Sequence, residues 1–408
     1  MKKKTSFVAA VAVFATMAAG CDPGSPSPGP NCVSSATLTP QASTGDLRNR
    51  AYIASRDSAN VTVIDLDSLE VVASVDGCSK GYHMVELSPD FTKAYASSPD
   101  DAHVDVLDTR TLALTKQIPV GAESTHLSMQ RDGKLLAVVD EKENAVSFID
   151  PAQDVEVKRL PGFYTPHFLR YASDGRYAYV ANLGAYHITR VDLSTLTVDG
   201  EIALDGYEGP ARTVSAGAEE GFADVQIDAN GVLWAAHGLT GQVLLYDTKA
   251  QRKLPQVAAG VRPWIVYAEH PFKEIEARVV PNHLSRSVSL LNRALTSQSP
   301  VVETEEPQSY GVNYSSLAPD KAFVMNRVRE EVAVIDTRTK ARVATIPVGG
   351  TTETASTTAD GRWIVAAVSS ANRVVVIDAK TNAIVKTFDH VGNYPWTVTI
   401  PLGQNYCH

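Results

Sequence analysis

A short apolar run closed by an aspartate returns along the chain at a nearly fixed interval, and that period dictates the fold. It reads VTVID to Asp65, VDVLD to Asp108, VSFID to Asp150 and ITRVD to Asp192. It continues as VLLYD to Asp247, VSLLN to Asn292, VAVID to Asp336 and VVVID to Asp378. Successive copies lie 43, 42, 42, 55, 45, 44 and 42 residues apart. Each copy adds three more β-type runs: one ahead of a tight turn (MVELSPD), one after it (KAYAS), and one beyond the aspartate (LEVVASV). Gly in SDGR, ADGR and RDGK supplies the positive φ of a hairpin turn or bulge, and Asp with Ser or Thr in IDLDSL and IDTRTK can bond turn amides. Four short antiparallel strands at this period specify a β-propeller. Runs such as RVVVID are apolar on both alternating faces, so each blade needs a neighbour on either side.

The first copy begins at AYIAS and lacks a leading strand, while the final YPWTVTIPLG supplies a leading strand with nothing after it. The C-terminal strand is therefore expected to complete the first blade. The expected fold is an all-β, eight-bladed propeller over residues 50–403, followed by a tail, 404–408. The sixth copy, ARVVPNHLSRSVSLLN, loses the aspartate and is the weakest. Seven blades, with part of the chain an insertion, is the alternative.

The units resemble the YVTN family of propeller repeats: AYVAN (Ala178 to Asn182), VAVIDTRTKARVATIPVGG (Val332 to Gly350) and SPD fit its pattern, and the resemblance covers Arg50 to Gly403. It implies the fold and leaves function open. Eight-bladed rings include the propeller domains of haem-cd nitrite reductases and the related haem-d biosynthesis proteins, which carry haem at the ring centre. In the reductases an axial histidine heads an inner strand, and His83 in GYHMVELS is similar to that motif. The resemblance makes haem a candidate cofactor. No CxxCH haem-c motif is present; QNYCH has Gln404 where the first cysteine would stand.

The chain starts MKKKTSFVAAVAVFATMAAGC, three lysines and an apolar run too short to span a bilayer, which reads as a secretory signal. Ala18-Ala19-Gly20-Cys21 resembles a bacterial lipoprotein signal, which implies cleavage after residue 20 and a lipid on Cys21; a plain signal peptide is the alternative. DPGSPSPGPN then reads as a flexible tether within 21–49. The protein is expected to be anchored in the cell envelope, periplasmic or surface-exposed, rather than to span a membrane. Its formal net charge is −9, and the signal holds three lysines and no acid, a balance that disfavours nucleic acid. In an oxidising compartment Cys32, Cys78 and Cys407 make one pair and one thiol. Cys32 precedes the first blade and Cys407 follows the strand that completes it, so a Cys32–Cys407 disulfide would lock ring closure; pairing of Cys78 with either is the alternative.

GYHMVELSPD, STHLSMQRDG and YTPHFLRYASDG each place a histidine, His83, His126 and His167, at the head of a leading strand. The leading strand is innermost in a propeller, and its head lies on the top face. Around the ring the same position holds Ala223, Trp264, Asn313, Glu353 and Trp396. His83, His126 and His167 with Glu353 form a candidate metal set, and imidazole with carboxylate suits zinc, copper or iron. Trp264 and Trp396 can stack on a macrocycle or a sugar. The alternative is that the histidines are hydrogen-bonded channel residues and the indoles plug the pore. The longest interval contains the top loop Asp205 to Gly221, where Arg212, Glu219 and Glu220 could gate the mouth. The recurring aspartates read as turn residues, and no GxSxG, HExxH or P-loop motif occurs.

These readings favour a membrane-tethered envelope propeller that binds a ligand or partner protein on its top face without chemistry of its own. The alternative is a haem- or metal-binding protein of redox or cofactor assembly, using His83 with His126 or His167. A hydrolase or lactonase of sugar-type substrates is a third class, with no residue set to carry it.

Overall fold

In the computed structural model, residues 35–39, 45–208, 220–267, 277–292, 301–303 and 309–406 are described. They form an all-β propeller whose non-strand regular structure is two short 3-10 turns, Leu47–Asn49 and Ser369–Ala371. The second repeat shows the blade plan: Met84–Leu87 innermost, then Lys93–Ser97, His103–Asp108 and Leu114–Pro119 at the rim, every neighbour antiparallel.

Burial follows position in the blade. Second strands such as Tyr177–Asn182 and Trp363–Val368 are buried throughout, whereas the outer strand Ala341–Pro347 alternates exposed and covered residues. The middle strands are covered on both faces by adjacent blades, which is why their sequences do not alternate. Apolar clusters bridge consecutive repeats: Tyr52, Val61 and Val63 pack with Val85, Ala94 and Leu107.

The aspartates of the repeat act at the third-to-fourth turn. Asp65 accepts from the amides of Asp67 and Ser68, Asp108 from those of Arg110 and Thr111, and Asp336 and Asp378 repeat the pattern. Four residues after each aspartate the chain takes a positive φ without glycine: Leu69, Leu112, Asp154, Leu196, Gln251, Lys340 and Asn382 lie between +49° and +62°.

The ring closes as expected. Pro395–Thr399 pairs with Arg50–Ser55 as the inner strand of the first blade. Seven sheets carry four strands or more and are complete blades. Among the described residues, the sixth repeat has three strands, Ala277–Asn282, Ser287–Asn292 and Val301–Glu303, and Pro263 and Tyr267 reach it through isolated bridges to Asn282 and Val279. The expected eight full blades are thus corrected to seven. The repeat that falls short is the one whose turn has lost its aspartate.

Both ends of the propeller extend past the limits read from the sequence. Ser35–Leu38, inside the expected tether, adds to the outer edge of the first blade, with Ser35 opposite Asp76. The expected tail is not a tail: Gln404–Asn405 pairs with the inner strand Thr352–Thr357, and Tyr406 is buried against Tyr267. Cys78 is disulfide-bonded, which corrects its place as the free thiol. Cys21, Cys32 and Cys407 lie outside the described residues.

Candidate functional site

The heads of the inner strands are irregular, and this irregularity builds the site. Register shifts fall between Ser124 and Leu127, Pro166 and Phe168, and Pro395 and Thr397, so that His126, His167 and Trp396 each occupy a β-bulge. A bulge adds a residue without a ladder partner and turns its side chain out of the blade's alternation. His83 stands just ahead of Met84–Leu87, with its amide bonded to Ser97 O (2.9 Å) and its carbonyl accepting from Thr397 Oγ1 of the adjacent blade (3.0 Å).

The three histidines therefore converge. His83 Nε2 lies 3.2 Å from His126 Nε2, their rings edge to face. The His126 and His167 ring centroids are 4.3 Å apart. Thr125 Oγ1 donates to Glu141 Oε1 (2.6 Å) and lies 3.0 Å from His126 Nδ1, itself 3.5 Å from Glu141 Oε1. These acceptors make Nδ1 the protonated nitrogen of His126 and leave Nε2 its lone-pair atom. His167 Nδ1 donates to Ala223 O (2.8 Å), which likewise leaves Nε2 with the lone pair. A nitrogen of His126, a carboxylate oxygen of Glu141 and a nitrogen of His167 all lie within 4.8 Å of one another.

Burial keeps the His83 and His126 imidazoles neutral. Burial, then the neighbouring His126, holds His83 well below its ordinary value. Burial pushes His126 down to about 4, with His167 acting in the same direction. Burial alone would raise Glu141, but hydrogen bonding with His126 and Thr125 opposes it and the group stays a carboxylate. Neutral His83 and His126 beside an ionised carboxylate are in the form a metal needs of its ligands.

Glu141 was missed by sequence reading, because it belongs to a second strand's end rather than to the ring position that holds the histidines. The signal available was its place directly after the strand Leu136–Asp140, facing back toward the head of its own hairpin. The side chain of Glu353, the expected carboxylate, lies outside the described residues, as do Arg212 and Glu219. Glu220 meets Arg262 at 3.5 Å.

The indoles border the cluster with their faces covered. Trp396 is 5.5 Å from His83 and packs against Arg56 (4.5 Å), Arg327 (5.2 Å) and Tyr394 (5.8 Å). Trp264 touches His167, His283 and Tyr310. A macrocycle would have to displace these neighbours to stack on either ring. Other histidines of the top face are held in their own blades, His187 near Glu201 and His237 by Thr240. Ser79, His103 and Asp105 adjoin one another, yet Ser79 Oγ (3.1 Å) and Asp105 Oδ1 (3.2 Å) both reach His103 Nε2. A nucleophilic triad needs base and acid on opposite ring nitrogens.

No family model and no curated protein matches the sequence. Solved structures match in fold. The dihydro-heme d1 dehydrogenase NirN, in complex with DHE, superposes with a TM-score of 0.70 at 15% identity, over 88% of this chain and 76% of that one. Apo AztD from Citrobacter koseri gives 0.60 at 13% identity, over 88% and 99%. The Kuenenia stuttgartiensis hydrazine synthase gives 0.54 at 18%, over 73% and 95%. At these identities the likeness is one of fold, the β-propeller.

Proposed function

We propose that this is a cell-envelope propeller, lipid-anchored through Cys21, that binds a divalent transition metal at the top of its channel through His83, His126, His167 and Glu141. The observation that carries this reading is the convergence of three imidazoles from consecutive repeats, His83 and His126 buried and His167 half-buried, with the Glu141 carboxylate beside His126 and His167. The 3.2 Å between His83 Nε2 and His126 Nε2 is close to the edge of a tetrahedron of nitrogens about 2 Å from zinc. A bound ion would act as a Lewis acid or as cargo. The chain's part is to orient the donors: Ala223 O fixes the tautomer of His167, and Thr125 with Glu141 that of His126. His83 must move its proton to Nδ1 to bind through Nε2, and Nδ1 has no hydrogen-bond partner opposing that. A haem reading is weaker, because the imidazoles face one another and the indole faces are covered.

Metal content and titration calorimetry with zinc, copper(II) and iron(II) test the reading. One equivalent of metal should bind wild type, and His126→Ala should lower the affinity at least 100-fold, as removal of a ligand does in a closed site. Wild-type protein that takes up no metal would refute the site. A haem absorption band in protein made by a haem-supplying host would favour the alternative. The anchor is tested separately: Cys21→Ser should shift the protein from the membrane to the soluble fraction.

A further inference from the structure

Below the histidine layer the channel holds a cavity of ≈290 Å³. Met84 and Phe168 line it beneath the imidazoles, and the C-terminal segment Gly403–Tyr406 closes its far side. A larger vestibule of ≈860 Å³ opens among the bottom turns and shares Arg170, Tyr171 and Ile227 with the cavity, so Arg170 stands at the neck between them.

The polar groups of the wall can be accounted for one by one. Gln404 Oε1 accepts from Tyr314 N, and its Nε2 donates to Tyr406 Oη. Asn405 spends both ends of its amide on Ile400. Gln226 donates to Asp224 Oδ2, and Asp224 Oδ1 accepts from Val225 N. Two charged groups, Arg170 and Glu86, are held less tightly. Arg170 has one face on Phe168 (4.4 Å), its carboxylate neighbour Asp224 is 4.0 Å away, beyond hydrogen-bond reach, and its Nε has no partner. Glu86 feels the attraction of Arg170 and meets the Leu87 amide, yet burial outweighs both and pushes its carboxyl up to about 7. The guanidinium is partly exposed and its contact with Asp224 is a long ion pair rather than a hydrogen bond, so a ligand carboxylate would satisfy its fork. The chamber thus offers a cation and an acid that make no side-chain hydrogen bond to each other, and an apolar wall, in a volume at the small end for ligand sites.

We propose that this chamber is a second ligand site, entered from the bottom face, for a small apolar α-amino acid whose carboxylate pairs with Arg170 and whose ammonium pairs with Glu86, the side chain lying against Met84 and Phe168. It is independent of the metal reading, since the imidazole layer lies on the other side of Phe168.

Calorimetry on the full chain with leucine, methionine and phenylalanine tests it, alongside isoamylamine and isocaproate, the leucine analogues that keep only one charge. At least one amino acid should bind, and each one-charge analogue should bind tenfold more weakly or worse than leucine. Arg170→Gln and Glu86→Gln should each weaken binding at least tenfold with far-UV circular dichroism unchanged. Met84→Trp, which fills the chamber without touching either charge, should abolish it. No binding to wild type at millimolar concentration overturns the proposal. So does isocaproate binding as tightly as leucine, or binding that survives Glu86→Gln and Met84→Trp; those two variants decide the matter if Arg170→Gln does not fold.

Discussion

At the scale of single residues, this propeller relies on backbone conformations that its side chains do not favour. Seven turns place a non-glycine residue at positive φ four positions after the turn aspartate, where a Cβ crowds the backbone. Lys340 is the cleanest test, because it is exposed and its φ is +58°. Lys340→Gly should be neutral to stabilising by up to about 1 kcal/mol, and Lys340→Val should destabilise by about 1–2 kcal/mol, read by chemical denaturation. The buried histidines make stability depend on pH. His126 resists protonation in the fold down to about 4, whereas the unfolded chain takes up that proton near 6.5. Between these values the unfolded state binds more protons, so stability should fall as pH drops from 6.5 toward 4. Melting temperatures at pH 7.5, 5.5 and 4.5 check this, and His126→Gln should flatten the slope.

At the scale of elements, strand position decides what each sequence run does. Inner strands share hydrogen bonds across blades, Thr399 Oγ1 to Val85 O and Thr354 Oγ1 to Trp396 O, and carry the bulges that turn side chains into the channel. Outer strands take additions. Ser35–Leu38 runs antiparallel to Glu70–Asp76 with Ser35 opposite Asp76, two residues before Cys78 in sequence. Cys32 is the cysteine three residues before Ser35, which makes Cys32–Cys78 the expected bridge, stapling the added strand to the first blade. Non-reducing peptide mapping should find it, and Cys78→Ser should cost about 4 kcal/mol on the chain-entropy account of a loop this long.

At the scale of the whole molecule, ring closure and channel filling are separate events. Pro395–Thr399 closes the ring, while the residues after it turn into the channel and pair with Thr352–Thr357. Tyr406 joins a core cluster with Tyr267, Val312 and Tyr314. Tyr406→Ala should therefore destabilise the ring by about 3 kcal/mol in urea unfolding, the cost of truncating a buried aromatic residue. A purely peripheral tail would show no change.

The sequence by itself determined the all-β propeller, the closing role of the C-terminal strand, the turn aspartates and the position of three histidines at one level. These are local or periodic properties, carried by spacing, alternation and turn chemistry. It also marked the sixth copy as weak through its lost aspartate, though not that the copy would fall short of a full blade. Only the tertiary structure decided that Glu141 lies beside His126 and His167. It alone showed that Trp396 is sandwiched by Arg56 and Arg327, that Cys78 is bridged, and that Gln404 to Tyr406 fill the channel. Those facts depend on bulges that break strand alternation and on neighbours hundreds of residues apart, and neither leaves a period in the sequence.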